Sequence, residues 1–207
     1  MTRHDISIAV DARTPEWPGD TPFSCGWTAR LAAGASVNLS ALTMSPHVGT
    51  HADAPLHVRD GWPASHELPL EVFLGRALVC TAPPGVAAID PTDLPTLPRA
   101  GPVERLLVRT GATIAGGRFP EAWPALTVDA VRALLDRGLR LLGVDAPSVD
   151  PRESKTLDVH HALFGAGAYN LENLDLRAVS DGEYELVALP IKVLGLDAAP
   201  ARVILRR

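Results

Sequence analysis

The residues best equipped for chemistry lie together. The stretch Ser45-Pro46-His47-Val48-Gly49-Thr50-His51-Ala52-Asp53-Ala54-Pro55-Leu56-His57 carries three histidines and one carboxylate within the eleven residues from His47 to His57. Imidazole nitrogens and carboxylate oxygens bind first-row metals such as zinc at about 2.0–2.2 Å, so the ligands of one ion must bring their donor atoms within a few ångströms of each other. A fully extended chain would hold the Cα atoms of His47 and His51 about 13 Å apart. The segment is therefore expected to bend, with Gly49 free to take positive φ and Pro55 keeping Ala54 out of the helical region. His47, His51 and Asp53 then make a three-ligand set. Three protein ligands plus one open position are the pattern of a catalytic ion rather than a structural one. His57 is left over, and an imidazole titrating near neutral pH is suited to moving protons beside such a site. Each histidine taken alone reads as well as an ordinary hydrogen-bonded side chain; four such groups on one short loop favour metal binding.

The motif His47-x-Gly49-Thr50-His51-x-Asp53-Ala54-Pro55-x-His57 resembles the signature of the cyclase-like metal-dependent hydrolases, and within them the bacterial kynurenine formamidases (arylformamidases). The likeness extends to Thr14–Asp20, Leu107–Gly111, Gly143–Asp150 and Tyr184–Pro190. It implies hydrolysis of the formamide of N-formyl-L-kynurenine to L-kynurenine and formate by a homodimer; the start Met1–Ser7, without an apolar stretch, makes the cytoplasm the expected address. It also implies two divalent ions, most simply zinc, with manganese or cobalt as alternatives. His47, His51 and Asp53 would hold the first ion, and His160 the second, with Asp53 and Glu172 as bridging carboxylates. His57 would be the acid-base residue, and Trp17 would contact the aromatic ring. The family pattern usually has Gly after this glutamate, where the chain has Asn173. A related cyclic amide or lactam hydrolase, similar to isatin hydrolase, would use the same loop. A metal-stabilised binding protein without catalysis is a third reading.

Read from the residues alone, Trp17 is either an aromatic wall for a planar ligand or the cover of an apolar edge. Glu172, between Leu171 and Leu174, is either an edge residue or a carboxylate that something must neutralise. Periodicity does not decide between His160 and His161.

Around these groups the chain is expected to form an α/β fold: a single domain over residues 1–207, with a mixed β-sheet core and few helices, resembling the swivelling β/β/α fold of the cyclase-like family. The 46% hydrophobic content supports one sizeable core. A net charge of −5 supplies no basic field for nucleic acid, and no apolar run suggests a membrane span. Cys25 and Cys80 are expected as small buried hydrophobes, without a bridge. Strands are expected at Ile6–Val10, within Ser36–Met44 (half-buried through Val37, Leu39 and Ala41), and at Ala77–Thr81. A β-loop-α-β unit is expected next, with strands Arg105–Arg109 and Leu139–Val144 flanking a helix capped by Thr127 and ended by Gly138. Asp145, Ser148 and Asp150 follow it as candidates for support or substrate contact. A short helix within Lys155–Phe164 is expected to be capped by Thr156 or Asp158 and stopped by Gly165. Strands at Glu183–Pro190 and Arg202–Leu205 complete the sheet, the former central and the latter last.

Overall fold

The computed structural model describes residues 2–207. Twelve strands are present among them: β1 Arg3–Asp5, β2 Ser24–Ala29, β3 Leu39–Thr43, β4 His51–Asp53, β5 Leu74–Thr81, β6 Ala88–Ile89, β7 Arg105–Arg109, β8 Ala125–Leu126, β9 Leu141–Val144, β10 Tyr169–Leu171, β11 Gly182–Pro190 and β12 Ala198–Arg206. Two α-helices accompany them, α1 Val128–Leu135 and α2 Asp158–Gly165. The fold is α/β, with a curled mixed sheet at its centre. Strand order is β1-β12-β11-β5-β7-β9-β10, and β4 pairs with the first residues of β12. Pairing is antiparallel from β1 to β5 and parallel from β5 to β10.

The curl brings the sheet's ends together. β4 belongs to one end and β10 to the other, and the residue after β10, Glu172, forms an antiparallel bridge with His51. Its two hydrogen bonds run from the His51 N–H to the Glu172 carbonyl and from the Glu172 N–H to the His51 carbonyl, at 3.3 and 3.0 Å. The loaded loop therefore lies on the seam where the sheet closes.

Alternation along the strands sorts side chains between two cores, because successive residues point to opposite faces. Leu107 and Leu141 enter one core with Phe73, Leu171, Leu186 and Leu205. Leu106, Val108, Leu142 and Val144 enter the other, against Val131 and Leu134 of α1 and Leu163 of α2. Burying each such leucine contributes about 1.5–3 kcal/mol. The β-loop-α-β unit is as expected. Thr127 Oγ1 accepts the Ala130 N–H at 3.0 Å, Gly138 takes φ 87° after the helix, and β7 and β9 run parallel.

Several expectations are corrected. The first strand is Arg3–Asp5 rather than Ile6–Val10; of the latter stretch only Ser7 pairs, in a bridge to Leu174. The strand within Ser36–Met44 is exposed throughout, because β2 and β3 form a separate two-stranded hairpin. Cys25, on that hairpin, is exposed; Cys80 is buried, and both are free. The last strand is interior, since β12 lies between β11 and β1. No helix among the described residues is long and apolar enough to cross a membrane.

Candidate metal centre

Gly49 takes φ 75°, turning the chain between His47 and His51 as anticipated. Beyond the turn, β4 is fixed on both sides: Asp53 and His51 pair with Ala198 and Pro200 of β12, and His51 bridges Glu172. Thr50 adds a clamp, donating to the Asn173 carbonyl at 2.5 Å and accepting the Ile8 N–H at 2.9 Å. Asn173 adopts φ 54°, a left-handed conformation that Asn tolerates better than most residues. The Glu172 carboxylate beside this turn points to His160, 3.3 Å from its Nε2.

Three donor atoms converge at the loop. His47 Nδ1, His51 Nε2 and Asp53 Oδ1 stand 3.0 to 3.2 Å apart. Asp53 Oδ1 is buried beside both nitrogens yet forms no hydrogen bond. Ligands at about 2.1 Å from a tetrahedral ion are spaced about 3.4 Å apart, so the triangle has the size of one face of a coordination shell. The orphaned oxygen is the donor such an ion would satisfy.

A second group lies behind it. His160 Nε2 is 3.1 Å from Asp53 Oδ2 and 3.3 Å from Glu172 Oε1. The divisions overlap: His51 Nε2 is also 3.5 Å from Glu172 Oε2, and His57 lies near His47 and Asp53. Asp53 is common to every set and offers one oxygen to each side, as a bridging carboxylate does.

The outer nitrogens fix which inner nitrogen is free. His51 Nδ1 lies 2.9 Å from the Gly49 carbonyl, His160 Nδ1 lies 2.6 Å from Asp150, and His47 Nε2 lies 3.0 Å from Asp197. All three partners only accept, so each outer nitrogen carries the proton and each inner nitrogen presents a lone pair to the centre. Charge agrees. Asp53, Asp150, Glu172 and Asp197 place four negative charges around these neutral rings, which two divalent cations balance. Without cations, protons take their place. Burial pulls the His47 and His51 rings down, but the carboxylates outweigh it, Asp197 and Asp53 for His47 and Asp53 and Glu172 for His51, raising the rings to about 9 and about 10.

His57 is on the short 3₁₀ turn Pro55–His57, its side chain partly exposed. Its Nδ1 is 3.2 Å from Asp197 Oδ2, and its ring centroid is 4.5 Å from that of His47. A cavity of about 480 Å³ opens above these groups, lined by His47, His51, His57, His160 and Glu172. Trp17 and Phe119 line it as well, meeting edge to face at 5.4 Å.

The structure thus brings together His47, His51, Asp53, His57, His160 and Glu172 and places Trp17 on the cavity wall. His160 faces inward on α2, while His161 is exposed. Asp150 and Ser148 also belong here, Ser148 on the cavity lining. Asp145 does not: it accepts the Thr110 and Gly111 N–H groups and ties down that turn. Neither Thr156 nor Asp158 caps α2. The Asp150 carboxylate does so, accepting the Val159 and His160 N–H groups at 3.0 Å each.

Sequence reasoning missed Asp197, Asn170 and Phe119. Asn170 donates to Asp53 at 2.6 Å and to Glu172 at 3.1 Å, keeping two like charges apart. Its signal was a polar residue two positions before Glu172, hence on the same strand face.

The family model described as "Putative cyclase" matches residues 4–151. The chain belongs to this cyclase family. Among curated members it is 44% identical to kynurenine formamidase of Salinibacter ruber, covering 100% of this chain and 98% of the relative. It is 43% identical to kynurenine formamidase of Bordetella avium, covering 98% and 96%. A solved structure of a predicted metal-dependent hydrolase from Bacillus stearothermophilus superposes with TM-score 0.81 at 29% identity, covering 99% of this chain and 97% of that one.

Proposed function

We propose that this cyclase-family chain is an arylformamidase that hydrolyses N-formyl-L-kynurenine to L-kynurenine and formate. The observation that carries the reading is the donor triangle of His47, His51 and Asp53 backed by His160 and Glu172, at the base of an aromatic-walled cavity. The full-length likeness to two kynurenine formamidases supports the substrate.

His47, His51 and Asp53 would hold one ion, and Asp53, His160 and Glu172 the other. Imidazole and carboxylate donors without thiolate suit zinc, with manganese or cobalt accepted by the same set. When bound, such a pair lowers the pKa of water toward neutrality and polarises the carbonyl under attack.

The remaining chemistry belongs to side chains. Trp17 and Phe119 hold the aryl ring by offset or edge contact. His57, with Nδ1 turned to Asp197, has Nε2 free to take a proton from the attacking water. As the C–N bond breaks, the same Nε2 returns that proton to the departing aniline nitrogen. Formate leaves with the water's oxygen.

A lactam hydrolase would need the same donors, so the purified protein should be assayed on N-formylkynurenine beside isatin. Faster turnover of the formamide supports the assignment; turnover of isatin alone rejects it. A binding protein without catalysis would have no use for a proton-moving His57. The same reading includes a cytoplasmic homodimer. Two free cysteines suit a reducing compartment, and the exposed Trp27, Leu39 and Leu42 of the β2–β3 hairpin offer an apolar surface for a second copy. Light scattering on the purified chain tests the dimer.

A further inference from the structure

One oxygen of Asp197 reaches two of the site's imidazoles. Oδ2 lies 3.0 Å from His47 Nε2 and 3.2 Å from His57 Nδ1. The residue is firmly placed: its carbonyl accepts the Ala54 N–H at 2.8 Å, and the preceding carbonyl, of Leu196, accepts the Ser65 N–H at 2.8 Å. The next residue, Ala198, pairs with Asp53. The strand contact that positions the shared ligand Asp53 therefore also positions this carboxylate.

We propose that Asp197 is a positioning residue that sets the tautomer and orientation of His57 and His47 together. A carboxylate only accepts, so the single N–H of each neutral ring must lie on the nitrogen facing it. His47 then turns the lone pair of Nδ1 toward Asp53 and His51. His57 keeps the lone pair of Nε2 for proton transfer. Without Asp197 the partly exposed His57 ring is free to rotate and to carry its proton on Nε2, where it is useless as a base. Ligand and base are thus hung from one point, and their separation is fixed by that point rather than by loop flexibility. The proposal rests on the formamidase reading only for the identity of the substrate.

The test uses the zinc-loaded full chain with ¹⁵N-labelled histidine. Imidazole ¹⁵N shifts in the wild type are expected to show His57 protonated on Nδ1, and in Asp197→Asn to show the proton shifted to Nε2. Turnover of N-formylkynurenine by Asp197→Asn is expected to fall about 10–100-fold in kcat, with KM within about threefold. In a His57→Ala background, where only the path through His47 remains, the same substitution is expected to lower kcat by a smaller factor than in the wild-type background. A His57 proton on Nε2 in the wild type, an unchanged kcat in Asp197→Asn, or equal losses in both backgrounds overturns the proposal. The wild-type spectrum decides by itself should the variant fail to fold. It is also independent of substrate: a chain that ignores N-formylkynurenine but shows the expected tautomer refutes the formamidase reading and leaves this one standing.

Discussion

His160 Nδ1 lies 2.6 Å from Asp150 Oδ2, and the same carboxylate accepts the N–H groups of Val159 and His160 at the start of α2. One side chain therefore caps the helix and orients the imidazole that the helix delivers. Replacing Asp150 with Ala should cost about 0.5–2 kcal/mol of stability through the lost cap. It should also weaken, by about 10–100-fold, the binding of the ion that His160 is proposed to hold. Urea denaturation and zinc competition against a chelator, run on the same variant, measure the two effects.

Gly49 offers a second lever. A Cβ there would sit 2.6 Å from Val10 Cγ2, on a residue at φ 75°. Gly49→Ala should destabilise the chain by about 1–2 kcal/mol from backbone strain alone, with the clash adding to it. Because His47 and His51 lie on either side of the bend, zinc affinity should fall too. A variant with wild-type melting and zinc binding would show that the turn does not set the ligand geometry.

The bend, the meeting of His47, His51 and Asp53 and the β-loop-α-β unit were legible because their causes are local. Glycine and proline placement, capping and apolar alternation all act within a few residues. Asp197 was not legible, since it meets His57 across 140 residues only when β12 pairs with β4. The cap of α2 was misassigned for a related reason. Thr156 and Asp158 stand at capping distance along the chain, but Thr156 donates to Asp158 instead, and Asp150 approaches from a loop eight residues before the helix. Asymmetry of burial explains the hairpin: alternation in Val37, Leu39 and Ala41 signals a strand, yet nothing in the described residues covers it.

The pH response should reverse on chelation. After the ions are stripped, His47 and His51 titrate near 9 and 10, above the ordinary value of 6.5. A raised folded value means that their contribution is complete below pH 6.5 and is lost as pH rises through 9 to 10. The stripped chain should therefore melt at progressively lower temperature from pH 6.5 to 10. Zinc requires unprotonated rings, so its apparent affinity should rise over the same interval. Calorimetry with and without zinc checks both slopes.

Trp17 meets Phe119 and Trp123 edge to face, at 5.4 and 5.9 Å, and lines the cavity. Trp17→Ala should raise KM for an aryl formamide several-fold, an aromatic pair being worth about 0.5–1.5 kcal/mol. Trp17→Phe should recover most of that loss. Equal KM values in all three proteins would remove Trp17 from the substrate wall.

The central claim is that two cations, gathered by one bent segment and two distant side chains, make this chain a hydrolase. Metal content and formate release from N-formylkynurenine should be measured on a single preparation before chelation, after it, and after zinc is restored. The account predicts two ions per chain, loss of formate release when they are removed, and its return as the second equivalent binds. Full turnover by the stripped protein would contradict it.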